Sequence, residues 1–334
     1  MPLLDASPTT LPAPPAIVQT MNSATVPDAR WITPGAVWSD DRRQEIQAHG
    51  GNVVHIGDTF YWFGEDRSMQ NLRNHKYVAC YSSTDLIHWT FRKQVVAATQ
   101  PTGIDSFGWV LERPKVYFNA KTGKFIMYAH VDDRSYRLAS VGIFTSDTVD
   151  GDYKFVRFFQ PFGLESRDIG QFVDDDGTAY LIFESRPTKG FYIAQLTDDY
   201  LDVATKTCFI KEPMEGGTLV HYDGLYYCIA SWMSGWAPNA NQYATAKSLA
   251  GPWSAFSNIA PPASKTYGSQ STFLLKVVGS QKTEVIFMGD MWKPRSLWDS
   301  RYLWMPLNIG GGKVSIPAPR PWAIDALTGL VTYK

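Results

Sequence analysis

The chain has 334 residues, of which 44% are hydrophobic and only 19% charged, so it has enough apolar surface for a large core and is not intrinsically disordered. Its 31 basic and 32 acidic side chains leave a formal charge of −1, which argues against nucleic acid or an anionic membrane as the main partner. Length alone allows two domains or one large one, since a domain usually holds about 100–200 residues.

The first 25 residues form a Pro- and Thr-rich segment, which we separate from a single domain over residues 26–334. The start of the chain lacks the charged and apolar regions of a signal peptide. No apolar run approaches the ~20 residues that cross a bilayer. The sequence therefore predicts no membrane association.

Downstream of this segment, one unit recurs: a polar residue, a strand, a Gly-containing turn and an aromatic strand. Short alternating apolar and polar runs, with almost no helical periodicity, predict an all-β chain. The five copies begin at Gly50, Glu112, Arg167, Glu215 and Ser269.

Turn glycines mark the period of these copies, at Gly57, Gly123, Gly177 and Gly224. With loop insertions allowed, this spacing is close to the about 40–50 residues of a propeller blade. A second strand pair follows several copies, as in residues 81–91, 142–155 and 244–256. The sequence therefore predicts a five-bladed β-propeller, with residues 296–317 closing the ring against an N-terminal strand.

The starts of the repeated strands carry the residues that suggest chemistry. In a propeller the innermost strand of each blade lines the central axis, so equivalent first residues converge on one cavity. Two carboxyl groups across such a cavity suit glycoside hydrolysis, and a third raises the pKa of the proton donor. The alternative is that each acid caps a strand or pairs with a nearby base such as Arg113 or Arg167. The repeat-equivalent positions hold Glu112, Asp168, Glu215 and Gln270.

Three aromatic residues stand out from those expected to pack between blades. Trp232 and Trp236 follow the Glu215 strand and Tyr136 follows the Glu112 strand, each in a stretch with loop character. Apolar sugar faces stack on aromatic rings, and binding residues are common on loops. Either tryptophan alone is also compatible with a place in the core.

The remaining motifs predict structure rather than chemistry. Residues 174–177 lack the alternation of a calcium loop and suit a hairpin turn, and residues 310–313 lack the spacing of a phosphate loop. Cys80, Cys208 and Cys228 are far apart, and the first and last lie in apolar runs that suit buried, inert thiols. We predict no metal site and no cofactor, and leave open a structural cation on the propeller axis.

At these motifs the chain resembles glycoside hydrolase family 43, five-bladed propeller enzymes that invert anomeric configuration, and within it the exo-β-1,3-galactanase subgroup. The matching stretches include QAHGGNVVHIGDTFYWFGED, ERPKVYFNAKTGKFIMYAH, SRDIGQFVDDDGTAYLI and GSQSTFLL, and they spread over residues 31–317. The resemblance implies that Glu215 is the general acid and that Asp168 orients it and modulates its pKa. It also implies a set of residues around the terminal sugar, namely His49, Glu65, Tyr136, Trp232, Trp236 and Asn241.

The chain departs from the wider family in its first blade. Most members have an Asp base there, whereas residues 48–51 read Ala-His-Gly-Gly. The subgroup shares this absence, and its pattern implies Gln270 beside the nucleophilic water, with Glu112 in the sugar pocket. An amide is a very poor base, so Gln270 either positions water or acts as its imidic tautomer, and Glu112 is the alternative base.

The function that the resemblance implies is exo-acting, inverting release of terminal galactose from β-1,3-galactan, the backbone of arabinogalactan. We expect a secreted monomer, because such polymers are extracellular. One alternative is another family 43 exo-glycosidase, an α-L-arabinofuranosidase, β-xylosidase or β-galactofuranosidase. A catalytically inactive carbohydrate-binding propeller is the other alternative, and the missing first-blade Asp would suit it.

Overall fold

A computed structural model of the chain describes residues 30–68, 75–104 and 108–334, and within these ranges the predicted five-bladed β-propeller is confirmed. The Pro- and Thr-rich segment and its boundary at residue 25 lie outside the described residues and stay predictions. Four antiparallel sheets of four strands and one of three follow one another along the described chain.

Blade 1 contains β1 (His49–Ile56), β2 (Thr59–Glu65), β3 (His75–Ser83) and β4 (Thr90–Thr99). Blade 2 contains β5 (Trp109–Asn119), β6 (Lys124–Asp133), β7 (Ser140–Ser146) and β8 (Lys154–Phe159). Blade 3 contains β9 (Ile169–Val173), β10 (Ala179–Ser185), β11 (Gly190–Leu196) and β12 (Val203–Ile210).

Blade 4 contains β13 (Met214–Tyr222), β14 (Leu225–Trp232), β15 (Gln242–Ala246) and β16 (Ser257–Asn258). Blade 5 contains β17 (Gln270–Val278), β18 (Thr283–Met291) and β19 (Arg301–Pro306). Two hairpins follow, formed by β20 (Asn308–Gly310) with β21 (Lys313–Ser315) and by β22 (Trp322–Asp325) with β23 (Leu330–Tyr333). The described helical turns are short: Pro161–Gly163, Pro262–Ser264, Lys265–Gly268 and Leu297–Asp299.

The first strands of the five blades form a closed ring around the axis. Strand β5 packs between β1 and β9, β13 packs between β9 and β17, and β17 returns to β1. The ends of the described chain meet where Ile32 and Trp322 exchange backbone hydrogen bonds of 2.7 and 3.0 Å. Residues 296–317 supply β19 to blade 5, where Tyr302 O accepts the Gly35 N–H at 2.8 Å, and the Ile32–Trp322 contact lies just beyond them.

Apolar side chains fill the spaces between neighbouring blades, because each sheet packs between the blade before it and the blade after it. Separate buried clusters join blades 1 and 2, blades 2 and 3, and blades 3 and 4. The largest cluster joins blades 1, 4 and 5 and holds the fully buried Trp62, Trp304 and Trp322. Most of the aromatic content therefore holds blades together, as the composition predicted.

The motifs assigned to structure occupy the expected places. Residues 174–177 form the turn between β9 and β10, and residues 311–312 form the turn between β20 and β21. All three cysteines are free, and burial raises the pKa of the Cys80 thiol well above its ordinary value. Within the described ranges, no helix has the length and apolar character needed to cross a bilayer.

Candidate active site

A repeated irregularity in the first strands aims the site residues at the axis. The pairing of β1, β5 and β13 with their second strands slips just after His49, Glu112 and Glu215. A bulge of this kind bends a strand and redirects a side chain. The residues that follow, Gly50 and Gly216, have φ values of 62° and 63°.

In blade 2 the equivalent position is Arg113, with φ of 50°. Such a conformation is costly for a residue with a large side chain, and strain of this kind concentrates at functional sites. The surroundings hold it there, because the Arg113 backbone N–H donates to Glu65 Oε1 at 2.7 Å and its guanidinium reaches Ser271 O at 3.1 Å. Arg113 thus links blades 1, 2 and 5 at the axis.

The converging strands enclose a cavity of about 250 Å³. Acidic, basic and aromatic side chains all line its wall, which is the composition of a site for a polar ligand with apolar faces. The lining residues are Glu65, Arg67, Glu112, Arg113, His130, Tyr136, Arg167, Asp168, Arg186, Glu215, Gly235, Trp236, Gln270 and Trp292. All four predicted catalytic residues are therefore brought together, along with three of the six predicted sugar-contacting residues.

Gln270 lies between two of the acids. Its amide Nε2 donates to Glu215 Oε1 at 3.2 Å and to Ser231 Oγ at 3.1 Å, and it lies 3.5 Å from Asp168 Oδ2. Its Oε1 accepts from Trp292 Nε1 at 3.0 Å. The amide orientation is therefore fixed by partners on both sides.

Burial and two neighbouring acids, Asp168 and Glu184, raise the pKa of Glu215 to about 9. Arg113 and Arg186 oppose this shift without cancelling it. The Arg113 guanidinium is instead engaged by Asp168, with Nη2 2.8 Å from Oδ2. Glu215 is consequently a protonated carboxylic acid at neutral pH, which is the state that a proton donor requires.

Glu112 is in the opposite state. Its Oε1 accepts from Tyr136 Oη at 2.9 Å and from Arg67 Nη2 at 3.0 Å, and its Oε2 lies 3.3 Å from His130 Nδ1. Burial opposes ionisation of Glu112, but His130 and Arg67 outweigh it and hold the pKa well below its ordinary value. The cavity thus contains one carboxyl group that keeps its proton and one that has lost it.

His130 supports this charge distribution. Its Nε2 lies 3.0 Å from Asp132 Oδ2, so both ring nitrogens face carboxylates. Burial disfavours the charged imidazole, but the bonds to Asp132 and Glu112 raise its pKa to about 9. Glu65 completes the group, with one oxygen on the Arg113 backbone and the other paired with Arg67.

Two tryptophans meet at the mouth of the cavity. Trp236 is 39% exposed and packs edge-on against Trp292, with ring centroids 5.3 Å apart. A partly exposed ring beside buried polar groups offers an apolar face to a sugar. Of the two tryptophans singled out by sequence, Trp236 therefore lies at the cavity.

The other three predicted sugar-contacting residues lie outside the residues that line this cavity. His49 is fully buried, with Nδ1 2.9 Å from Asp290 Oδ1 and its ring stacked on Tyr302. Trp232 packs on the core cluster between blades 3 and 4. Asn241 is buried and accepts the Ser271 N–H at 2.8 Å, so it fixes the backbone that carries Gln270.

Sequence reasoning missed a second set of site residues at the ends of the second strands. The backbone pairs His49 with Glu65, Glu112 with His130, and Gln270 with Asp290. In blade 3, Glu184 N–H donates to Asp168 O at 3.2 Å. Arg67, Arg186 and Trp292 follow the ends of their second strands within two positions, whereas His130 lies inside β6, opposite Glu112. These positions were the available signal in the sequence.

A group of metal-type ligands meets elsewhere in the described chain. Atoms of Asp174, Asp175 and His221 lie within 4.8 Å of one another. Asp175 is already paired there with His221 at 2.7 Å and with Lys276 at 3.1 Å, so both of its carboxylate oxygens already have partners. We assign no metal to this group.

The family model described as glycosyl hydrolases family 43 matches residues 47–274. An exo-β-1,3-galactanase from Phanerochaete chrysosporium, solved with galactose, is 40% identical with a TM-score of 0.85 over 91% of this chain and 70% of that one. The same fungal enzyme has been solved with β-1,3-galactotriose, and that structure matches at 39% identity over 91% of this chain and 71% of that one, with a TM-score of 0.85.

An exo-β-1,3-galactanase from Clostridium thermocellum is 34% identical, with a TM-score of 0.84 over 90% of this chain and 68% of that one. A search of curated protein sequences returned no significant match.

Proposed function

This chain belongs to glycosyl hydrolase family 43, and on that premise we propose that it removes terminal galactose from β-1,3-galactan by an exo-acting, inverting mechanism. The observation that supports this most is the pair of opposed protonation states in one cavity. The pKa of Glu215 is raised to about 9, while that of Glu112 lies well below its ordinary value. Such a separation assigns acid and charge-stabilising roles to two carboxyl groups.

Glu215 is the proton donor in this proposal. Its proton passes to the glycosidic oxygen as the bond to the anomeric carbon breaks, so the leaving sugar departs as a neutral alcohol. Asp168 keeps this proton in place through its negative charge, and Arg113 holds Asp168 by a 2.8 Å ion pair.

Water positioning falls to Gln270 rather than to Glu112. Three side chains already engage the Glu112 oxygens, and its lowered pKa makes it a weak base. Gln270 lies between Glu215 and Trp292 with its amide orientation fixed. Its Oε1 has a second lone pair, which accepts a hydrogen bond from the attacking water. The proton that this water loses as its oxygen bonds to the anomeric carbon passes to solvent, and solvent returns a proton to Glu215. Glu112 contributes negative charge that stabilises the oxocarbenium-like sugar in the transition state.

The sugar assignment rests on relatives and on the shape of the cavity. Structures of the fungal relative contain galactose and β-1,3-galactotriose. The cavity here is small, about 250 Å³, and carries the exposed Trp236 on its wall. A small cavity that takes the end of a polymer suits exo action. Secretion and a monomeric state remain predictions that accompany this proposal.

The test is hydrolysis of β-1,3-galactan and β-1,3-galactobiose by wild type and Glu215→Gln. We expect the variant to lose roughly 10²–10⁴-fold of kcat/KM, because it lacks the proton donor. The matched control is Glu212→Gln, the same chemical change three positions earlier and outside the cavity lining. Unchanged activity in Glu215→Gln would remove the acid assignment.

Two further readouts separate the alternatives. Proton NMR of the released sugar reports its anomer, and a retained configuration would contradict the inverting mechanism. A panel of nitrophenyl arabinofuranosides, xylosides and galactofuranosides tests the other family 43 activities. Tight binding of intact galactan without turnover over long incubation would favour a binding propeller.

A further inference from the structure

We propose that Glu184 is a positioning residue that holds Arg186 away from the proton donor and thereby keeps Glu215 protonated. This inference rests on the proposed role of Glu215. Glu184 does not line the cavity, and the sequence offered no motif for it. It is the penultimate residue of strand β10, beside Asp168 and Arg186, which line the cavity.

Arg186 is shared between two carboxyl groups. Its Nε lies 3.3 Å from Glu184 Oε1, and its Nη2 lies 3.8 Å from Glu215 Oε2. The guanidinium is half exposed, whereas Glu184 and Glu215 are both buried. A flexible cation with two acidic partners moves towards whichever carries charge.

Glu184 is buried and held by its backbone, whereas the Arg186 side chain is half exposed. The Glu184 backbone N–H donates to Asp168 O at 3.2 Å, and its C=O accepts from Arg167 N–H at 3.4 Å. Its side chain is 1% exposed, and its Oε2 has no hydrogen-bond partner among the described residues. The carboxylate is therefore free to attract the guanidinium of Arg186 and has few competing partners.

Both effects of Glu184 on Glu215 have the same sign. Its negative charge disfavours a second negative charge on Glu215, and its attraction for Arg186 withdraws a positive charge from Glu215. The charged groups facing Glu215 are Asp168, Glu184, Arg113 and Arg186. Asp168 is committed to Arg113 at 2.8 Å, so Glu184 is the acid that determines where Arg186 sits.

The effect should depend on pH in a specific way. Burial and the charge of Asp168 raise the pKa of Glu184 to about 7. Below that pH, Glu184 is neutral and a neutral isostere should behave like wild type. Above that pH, Glu184 carries the negative charge that attracts Arg186, so removal of this charge should shift the basic limb of the activity profile to lower pH.

The experiment measures kcat/KM on β-1,3-galactobiose against pH for wild type, Glu184→Gln, Arg186→Gln and the double variant that carries both substitutions. We expect the basic limb of Glu184→Gln to move down by about one pH unit, which is about fivefold lower activity at pH 9 and less than twofold at pH 5.5. Arg186→Gln should move the limb upwards. The control Glu165→Gln neutralises an acid that pairs with Arg167, and it should leave the limb in place.

A direct titration makes the test independent of turnover. Carbon-13 NMR of protein labelled at Glu side-chain carboxyls, assigned with Glu215→Gln, reports the Glu215 pKa in each variant. Circular dichroism and thermal melting establish folding. If Glu184→Gln does not fold, Glu184→Asp takes its place, because the shorter side chain withdraws the carboxylate from Arg186 and should lower the Glu215 pKa in the same direction.

The outcomes separate the two proposals. Absence of wild-type activity on every β-1,3-galactan substrate would contradict the proposed function, whatever the titrations show. An active wild type whose basic limb and Glu215 titration are unchanged in Glu184→Gln would overturn the role of Glu184 alone. Equal shifts for Glu184→Gln with and without Arg186→Gln would also overturn it, since Arg186 would then carry no part of the effect.

Discussion

Replacing Asp168 with Asn tests how the cavity keeps Glu215 protonated. Both carboxyl groups lie close to the same Gln270 amide nitrogen, at 3.5 and 3.2 Å, so their nearer oxygens are within about 7 Å of each other. With an effective dielectric constant of about 20, two unit charges at that distance interact by about 2.4 kcal/mol, or nearly two pKa units. Loss of the Asp168 charge should therefore lower the pKa of Glu215 from about 9 to near 7.

This shift has a pH signature. At pH 8 the protonated fraction of Glu215 falls from about nine-tenths to about one-tenth, whereas at pH 5.5 both proteins are almost fully protonated. We expect Asp168→Asn to lose about tenfold more kcat/KM at pH 8 than at pH 5.5. The Arg113 guanidinium, released from its 2.8 Å ion pair, adds to the shift in the same direction.

The assay is kcat/KM from about pH 5 to pH 9.5, because this parameter reports ionisation of the free enzyme. Any loss of Glu215 orientation would lower kcat/KM by the same factor at every pH. Such a loss can therefore be separated from a shift of the basic limb along the pH axis. Glu215→Gln, measured alongside, should be impaired at every pH because it has no proton to lose. An Asp168→Asn profile that is lower than wild type but parallel to it would refute the electrostatic reasoning.

Three further predictions follow from the same contacts. Trp236→Ala should raise KM by about fivefold with little change in Tm, because Trp236 lines the cavity. Trp232→Ala should lower Tm with less effect on KM, because Trp232 packs on the core. Equal effects of the two substitutions on KM would contradict these placements. Trp292→Phe removes the 3.0 Å bond to Gln270 Oε1, and steady-state kinetics should show kcat reduced by about tenfold at nearly unchanged KM. Glu215→Gln should raise Tm at pH 8 by about 2–4 °C but not at pH 4. A carboxyl group whose pKa is raised to about 9 stabilises the fold fully only below its ordinary pKa of 4.5, and it loses that contribution as the pH rises towards 9. A Tm difference that is the same at both pH values would argue against this prediction.

The sequence by itself determined the fold and much of the candidate site. Period-two strands and regularly spaced turn glycines require an all-β repeat, and five repeats require a ring in which first-strand residues converge. That reasoning identified Glu112, Asp168, Glu215 and Gln270, which the structure brings to one cavity. It depended on local periodicity alone, so no contact between distant residues had to be known.

Only the tertiary structure decided which neighbours surround these residues. His49 is held by Asp290 from blade 5, and Arg113 by Ser271 from the same blade. Such contacts join positions far apart in the chain and depend on the closing of the ring and on the bulges of its inner strands. For that reason only the tertiary structure shows that His49 is buried at the axis, and that Trp236 lines the cavity while Trp232 does not.

The protonation states of the two glutamates are also decided by the tertiary structure. Glu215 and Glu112 are the same residue type at equivalent positions, yet Asp168 and Glu184 surround one and Arg67 and His130 the other. A pKa depends on burial and on charges within a few ångströms, and those charges come from other strands and blades. The sequence could therefore place the carboxyl groups together, but only the folded protein determines which of them keeps its proton.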